Sequence, residues 1–500
     1  MKKLLTYCVI GLSIFQSSCG EGFLDQTDPT KIGKDVFYKN ETQLLQALNG
    51  VYGGLQTITN TAYLAGEFQT DNTTLDFNPL DRGGASGWEA FEFSTINSGN
   101  SEINTLWNNY YAILYNNNLT LEKLQLATVD AGVKAVVEGQ LKFLRAYLYY
   151  NLVQYFGDVV LVTNTLEVPD PAFDLLRSSQ EAVYAQIIKD LTEAASALPV
   201  KYTSASDKGR ATKGAALGLL GKVHLIRKNY PEALTNLKQL TSMGYALNTK
   251  YEDNFNISMK NGIESIFEVQ YQGDNDLGEW SNFTYVFAPR QSKGAITGFA
   301  TVVPNGRNIP TNDLLAAYEP GDLRKDLSLK TSYILGSETF VIPYVIKFNH
   351  AHTIAGRTND NWPVLRYSDV LLMLAESINE TSGPTGEAEG YLNQVRKRAG
   401  LNALNGLDKA KFRAAVLKER RVELAFENQR WFDLKRTMTP AEWAAHMNAH
   451  GARERLKPTV TRGGVAFNAL DYVYTENEYV FPIPSGQILI NNKLTQNTGY

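Results

Sequence analysis

Cysteine is nearly missing from these 500 residues: Cys8 and Cys19 are the only two, both close to the start. The body of the chain therefore has no pair to cross-link, and an exported protein of this size must rest on core packing alone. Charge of one sign is lacking too. The 48 basic residues nearly balance the 52 acidic ones, with no basic block, which excludes electrostatic nucleic-acid binding as the main function. Histidine is scarce, at five. His446 and His450 stand four apart and His350 and His352 two apart, without a third ligand in view, and Asp274, Asp276 and Glu279 lack the EF-hand pattern. No phosphate loop, dinucleotide fingerprint or Gly-x-Ser-x-Gly elbow occurs. No cofactor, metal or catalytic set is expected.

Long hydrophobic runs are missing as well, apart from the first residues. Met1-Lys-Lys3 is a short basic stretch and Leu4 to Phe15 an apolar one too short to span a bilayer. It runs into Gln16-Ser-Ser-Cys19-Gly20, small residues ahead of a cysteine. The pattern is that of a lipoprotein signal, residues 1–18, with Cys19 as the acylated first residue. Gln16 stands where an aliphatic residue is commoner, and an ordinary secretory signal cut nearby is the alternative. Acyl chains would then be the only hold on a membrane, and durable anchoring takes more than one chain.

What is present is helix. Periodic apolar positions predict helices from Glu41 to Leu55, Ile103 to Leu124 and Ala131 to Phe156, the last closed by Gly157. Ser178 with Glu181 reads as a capping box ahead of Val183, Ile187 and Leu191. Leu217, Leu220, Gly221, Tyr230, Ala233 and Leu237 sit at the spacing of a tetratricopeptide repeat. Ser368 to Glu380 and Glu387 to Ala399 make a second such pair, closed by Gly400. The two pairs lie far apart in sequence, which argues against a simple solenoid. Between them, Tyr245 to Asn361 reads as irregular lobe with short strands such as Ser265 to Tyr271. Residues 60–101 read as a long loop rich in Gly, Asn, Asp and Thr.

The densest charge lies at Glu419-Arg-Arg-Val-Glu-Leu-Ala-Phe-Glu-Asn-Gln-Arg-Trp-Phe-Asp-Leu-Lys-Arg436. At helical spacing Leu417, Leu424 and Trp431 form one apolar stripe, with Arg420, Arg421 and Glu427 on it. Buried charges need partners, and three-residue spacing offers Arg420 with Glu423 and Glu427 with Arg430. Carboxylates among so many arginines have lowered pKa values, which suits ion pairing and spoils a general acid. The stretch 408–436 is expected to clamp the fold.

This run, together with Trp362-Pro-Val-Leu-Arg-Tyr-Ser-Asp-Val-Leu-Leu-Met-Leu-Ala-Glu-Ser377, Leu392-Asn-Gln-Val-Arg-Lys-Arg-Ala-Gly-Leu401, Phe481-Pro-Ile-Pro484 and Gln496-Asn-Thr-Gly-Tyr500, resembles the SusD/RagB family. The resemblance implies a mostly α, SusD-like fold: a tetratricopeptide-like helical scaffold with a large loop-rich lobe and short strands. It divides the chain into the signal, an N-terminal region 19–230 with a binding loop at 60–101, and a C-terminal region 265–500. The latter holds a binding loop at 272–310, the helix pair 368–399 and the clamp. It implies a protein lipid-anchored on the extracellular face of the outer membrane, binding oligosaccharide or polysaccharide nutrients and acting as lid to a SusC-like TonB-dependent barrel. Peptide binding as in RagB-like members, or a helical-repeat scaffold binding only protein, are the other readings. A glycosidase needs two carboxyls about 5 Å apart, one with a raised pKa, and no such pair is marked, so the expectation is a binding protein and not an enzyme.

Sugar recognition needs flat aromatic faces for the C–H side of a pyranose and planar polar groups for its hydroxyls. Of the six tryptophans, Trp107, Trp431 and Trp443 lie in helical patterns and Trp362 just ahead of one. Trp88 and Trp280 sit in polar, Gly-rich loops. Trp88 follows Asp71, Asn72 and Arg82; Phe283, Tyr285, Phe287 and Arg290 follow Trp280. The expected ligand contacts are Asp71, Asn72, Trp88, Trp280, Tyr285 and Arg290. The alternative for each aromatic is that it pins its loop to the body.

Overall fold

The computed structural model describes residues 37–77, 86–166 and 173–500. The expected signal segment 1–18, Cys19 and Arg82 lie outside the described residues.

Helix α1, Glu41–Tyr63, starts at Asn40, whose side chain accepts the Gln43 N–H. It runs past the expected stop at Leu55 because Ile58, Ala62 and Tyr63 go on burying the same face. Within the expected loop 60–101 the described residues include a π turn at Leu64–Phe68, the short strand β1 at Thr73–Thr74, and α2 at Ser86–Phe93. Helix α3, Ser101–Leu126, is capped by Asn100. Helix α4, Ala131–Phe156, is capped by Asp130 and ends at Gly157, whose φ of 71° suits glycine. Helix α5, Gln180–Ala197, takes its cap from Ser179, one residue after the expected Ser178. Ser178 bridges to Val159 instead.

Helices α6, Lys213–Ile226, and α7, Tyr230–Leu240, pack as the repeat spacing predicts. A Cβ on Gly221 would come within 2.5 Å of Leu237 Cγ, so the approach requires glycine. Helices α8, Tyr367–Ser382, and α9, Gly386–Arg398, form the second pair. Helix α8 lies against α7 as well as α9. The array α4 to α9 is thus continuous in space although residues 241–366 interrupt it in sequence. The family-typical fold, mostly α with a few short strands, is what the chain adopts.

The interruption is strapped at its base. Strand β2, Ser265–Val269, pairs antiparallel with β4, Trp362–Arg366, which runs straight into α8. Trp362 is therefore a strand residue. Farther out, β3, Ile309–Pro310, pairs with β1. One contiguous core reaches from Leu44 in α1 to Ile483 near the C-terminus.

Helix α10, Lys409–Glu423, and α11, Arg430–Thr437, are two helices. Between them Phe426 and Asn428 take positive φ values of 67° and 57°. The turn breaks the expected stripe, leaves Leu417 only partly buried, and redirects the charges. The expected pairs Arg420–Glu423 and Glu427–Arg430 do not form. Arg420 reaches Asp369 at 2.5 Å and Asp433 at 3.0 Å; Arg430 reaches Asp71 at 2.7 Å. Glu423 takes Arg366, Arg398 and Arg324 at 2.9, 2.5 and 3.1 Å, and Glu427 takes Arg366 and Lys347 at 2.8 and 2.9 Å.

These pairs join elements distant in sequence. Burial pushes the Glu423 carboxyl up, but Arg398, Arg366 and Arg324 outweigh it and hold it well below the usual carboxylate range. At Glu419 burial wins over Arg324 and Arg396, and the carboxyl is raised.

Removing one member of a buried pair costs about 3–5 kcal/mol, because the other charge is left in the core. Glu423→Gln takes a shared carboxylate from Arg366, Arg398 and Arg324, which keep their other acidic partners, and is expected to lower the unfolding free energy by about that much in urea titrations. Lys238→Ala, in the half-exposed Lys238–Glu387 pair, is expected to cost less than about 1 kcal/mol.

Candidate functional site: a face of three loops

Three segments distant in sequence build one loop face: 64–77 after α1, 270–310, and 349–361. The first two meet through β1 and β3, with Thr73 opposite Pro310 and Thr74 opposite Ile309. Beyond the strands, the Asp76 N–H donates to Gly306 O at 2.7 Å and the Arg290 N–H to Asp76 Oδ2 at 2.8 Å. Gly306 has φ 66°, and a Cβ there would stand 2.5 Å from Asp76 Cβ. The third segment is tied on at Ser281 and Thr358, whose backbones exchange hydrogen bonds of 3.0 and 2.8 Å. Asn359 then holds both the Gly273 N–H and Asp274. The two loops singled out in the sequence therefore come together.

Their candidate residues divide by burial. Asp71 is 1% exposed and engaged by Arg430, Arg421 and His446 at 2.7, 3.0 and 3.0 Å. Burial raises its carboxyl, and those partners more than reverse it, leaving it well below the usual range. Asn72, equally buried, accepts from Arg421 Nε at 2.8 Å. Trp88 is 7% exposed, with the Arg307 guanidinium 4.8 Å above its ring; Arg307 in turn donates to the Tyr63 hydroxyl at 2.7 Å. Tyr285 is 3% exposed, its hydroxyl 2.7 Å from His352 Nε2. These four do not face solvent. Expected as ligand contacts, in this structure they fix the loops from beneath, the role the pinning alternative assigned to the aromatics.

Trp280 and Arg290 differ, being half-buried. The Trp280 ring carries the Arg357 guanidinium at 4.2 Å, and Arg357 is held by Asp276 at 2.5 Å and Asn275 O at 3.2 Å. In the same loop segments, the half-buried ring of Phe299 lies 5.1 Å from that of His352, whose Nδ1 donates to His350 O, 3.0 Å away. A platform of indole, guanidinium and amide groups is what a pyranose needs on one side and its hydroxyls on the other. Arg357, His352 and Phe299 escaped the sequence reading. Only adjacency to the irregular lobe marked them, and the histidines were weighed solely as metal ligands. His350 bonds Asp360, while His446 and His450 serve Asp71 and Asp313. No metal-type cluster of three or more such residues occurs among the described residues.

Comparison with known proteins agrees with this architecture. Residues 328–500 match the model of the SusD family, and residues 22–225 match a model described as starch-binding and associating with outer membrane. A SusD-like protein of Formosa agariphila is 25% identical with all of both chains covered. One of Bacteroides ovatus is 26% identical over 86% of this chain and 82% of its own. Among solved structures, a laminarin-binding SusD-like protein is 26% identical and superposes with a TM-score of 0.76, covering 93% of this chain and all of that one. A SusD-superfamily protein of Parabacteroides distasonis is also 26% identical, with TM-score 0.76 and coverage of 94% and 100%.

Two carboxyls lie buried under the loop face, where the pull of Lys347 on Glu67 and of Arg462 on Glu92 does not offset desolvation. Glu67 accepts the Asn428 N–H at 2.8 Å, and Glu92 receives the Tyr472 hydroxyl. Burial pushes both up to about 8. A raised carboxyl is what a general acid needs, but these are at most 1% exposed and reach no substrate. Their effect falls on stability. A carboxyl with folded pKa near 8 and unfolded pKa near 4.5 binds more protons when folded, so its contribution is whole below about pH 4.5 and shrinks as pH rises toward 8. Lys435, pushed down to about 7 by burial, titrates above that point in the opposite sense. Between pH 5 and 7 the unfolding free energy is therefore expected to drop by about 1.4 kcal/mol per pH unit for each group. The double variant Glu67→Gln, Glu92→Gln should flatten that slope in denaturant titrations.

Proposed function

Because the chain belongs to the SusD/RagB family, we propose that it binds oligosaccharide or polysaccharide nutrients at the cell surface. The reading includes anchorage through lipid on Cys19, exposure on the extracellular side of the outer membrane, and delivery to a SusC-like TonB-dependent barrel that the protein covers as a lid. The observation that carries the binding role is Trp280: a half-buried indole on an assembled loop face, capped by the guanidinium of Arg357 and not by core. An oligosaccharide displacing that guanidinium gains the ring face and a fork of donors in one movement. Arg290, Phe299 and His352 border the same face. A structural relative that binds laminarin, at 26% identity, makes β-linked glucans the first probes. The reading is binding without bond cleavage, since the carboxyls raised among the described residues, Glu67, Asp76, Glu92 and Glu419, are all buried.

Calorimetry against panels of glycans and peptides tests the ligand class. Trp280→Ala is expected to weaken glycan binding about tenfold or more, the equivalent of about 1.4 kcal/mol. Trp88→Ala should act mainly through stability. Binding of peptides alone would transfer the protein to the RagB-like reading.

Mild detergent extraction of native membranes tests the partner. The protein is expected to co-purify with a TonB-dependent barrel, and whole cells should be labelled by antibody against the mature chain. Extraction without any barrel would sink the lid.

A further inference from the structure

Away from the loop face, three tyrosine hydroxyls converge on the turn leading into α6. Tyr52 OH accepts the Ala211 N–H at 3.0 Å, Tyr202 OH donates to Ala211 O at 3.0 Å, and Tyr245 OH shares a hydrogen bond with Thr212 Oγ1 at 3.2 Å. The Tyr245 ring also stacks on Tyr367, with centroids 6.3 Å apart. With their polar ends tied down, the half-buried rings of Tyr202 and Tyr245 become fixed walls of an open cleft of about 610 Å³. That volume is in the range of small-ligand sites.

The charges around this cleft have one sign. Lys201, Lys208 and Arg210 line it, and no carboxylate does. Arg210 is occupied: it holds Asp207 and Asn49, each at 2.8 Å, and lies over the Tyr52 ring. The ammonium groups of Lys201 and Lys208 are exposed and have no ion-pair partner among the described residues. A second cleft, of about 490 Å³, adjoins the first through Lys208, Gly209, Arg210 and Phe267. Gln272 and Glu279, the latter immediately before Trp280, also line it. The second cleft thus shares a wall with the tyrosine cleft and touches the Trp280 loop.

We propose that the tyrosine cleft is a second carbohydrate site, selective for the carboxylates of uronic-acid sugars. Rigid ring faces take the C–H side of the sugar, and the two unpaired lysines take its charge. A neutral sugar would leave both cations without a role. The proposal rests on the glycan-binding reading of the loop face, and the two are read by different variants.

Calorimetry on the purified protein, with hexamers of galacturonate, mannuronate and guluronate beside neutral laminarihexaose, tests it. At least one uronate hexamer is expected to bind, more weakly as salt is raised. Lys201→Ala with Lys208→Ala should weaken that binding tenfold or more, and Lys201→Arg with Lys208→Arg should restore it. Both lysines are exposed, so the variants keep the wild-type melting temperature. Laminarihexaose should respond to Trp280→Ala and ignore the lysine variants. If no uronate binds, or if the alanine pair binds it unchanged, the anionic site is overturned while the Trp280 measurement still decides the loop face.

Discussion

A guanidinium in the core is tolerable only where carboxylates meet it, and the position of Arg366 turns that constraint into architecture. Its side chain bonds Glu264 just before β2, Glu423 at the end of α10, and Glu427 in the turn beyond. Arg398 at the end of α9 shares Glu264 and Glu423, and Arg324 of the lobe shares Glu423. Helical array, lobe base and C-terminal helices are thus bound to one cluster that no single element satisfies. Buried ion pairs contribute little net stability when desolvation is counted. Their effect is on arrangement: any other docking of these elements leaves a bare charge in the interior.

The same logic reaches the loop face. Asp71 draws Arg421 and Arg430, from α10 and α11, onto the segment after α1, and Asn428 lies against Gly66 and Glu67 in the turn between them. The loops that present Trp280 are therefore backed by a rigid floor. Gly306 against Asp76 and Ser281 against Thr358 continue it outward to the half-buried indole. Rigidity beneath and exposure above is the condition for a platform that binds without first paying to order itself.

Helices and their caps were legible in the sequence because they are local. The bounds of α4, the pairing of α6 with α7 and the close approach at Gly221 follow from spacing alone. The ion pairs were legible as a composition but not as a wiring. Three-residue spacing suggested neighbours, whereas positive φ at Phe426 and Asn428 broke the helix and sent Arg420 to Asp369 and Arg430 to Asp71. The site was half legible for a related reason. An aromatic in a polar loop announces that it has a task, yet Trp88 and Trp280 look alike until the chain folds. Arg307 and Tyr63 then enclose one, and solvent still reaches the other. Which face a loop residue shows depends on partners two hundred residues away, and no local pattern encodes them.

The strap between β2 and β4 places the departure and the return of residues 270–361 side by side. An insertion whose ends meet makes little demand on its host's geometry. Descendants of this chain have room to exchange that segment wholesale and acquire a new loop face, while the helical frame stays as it was.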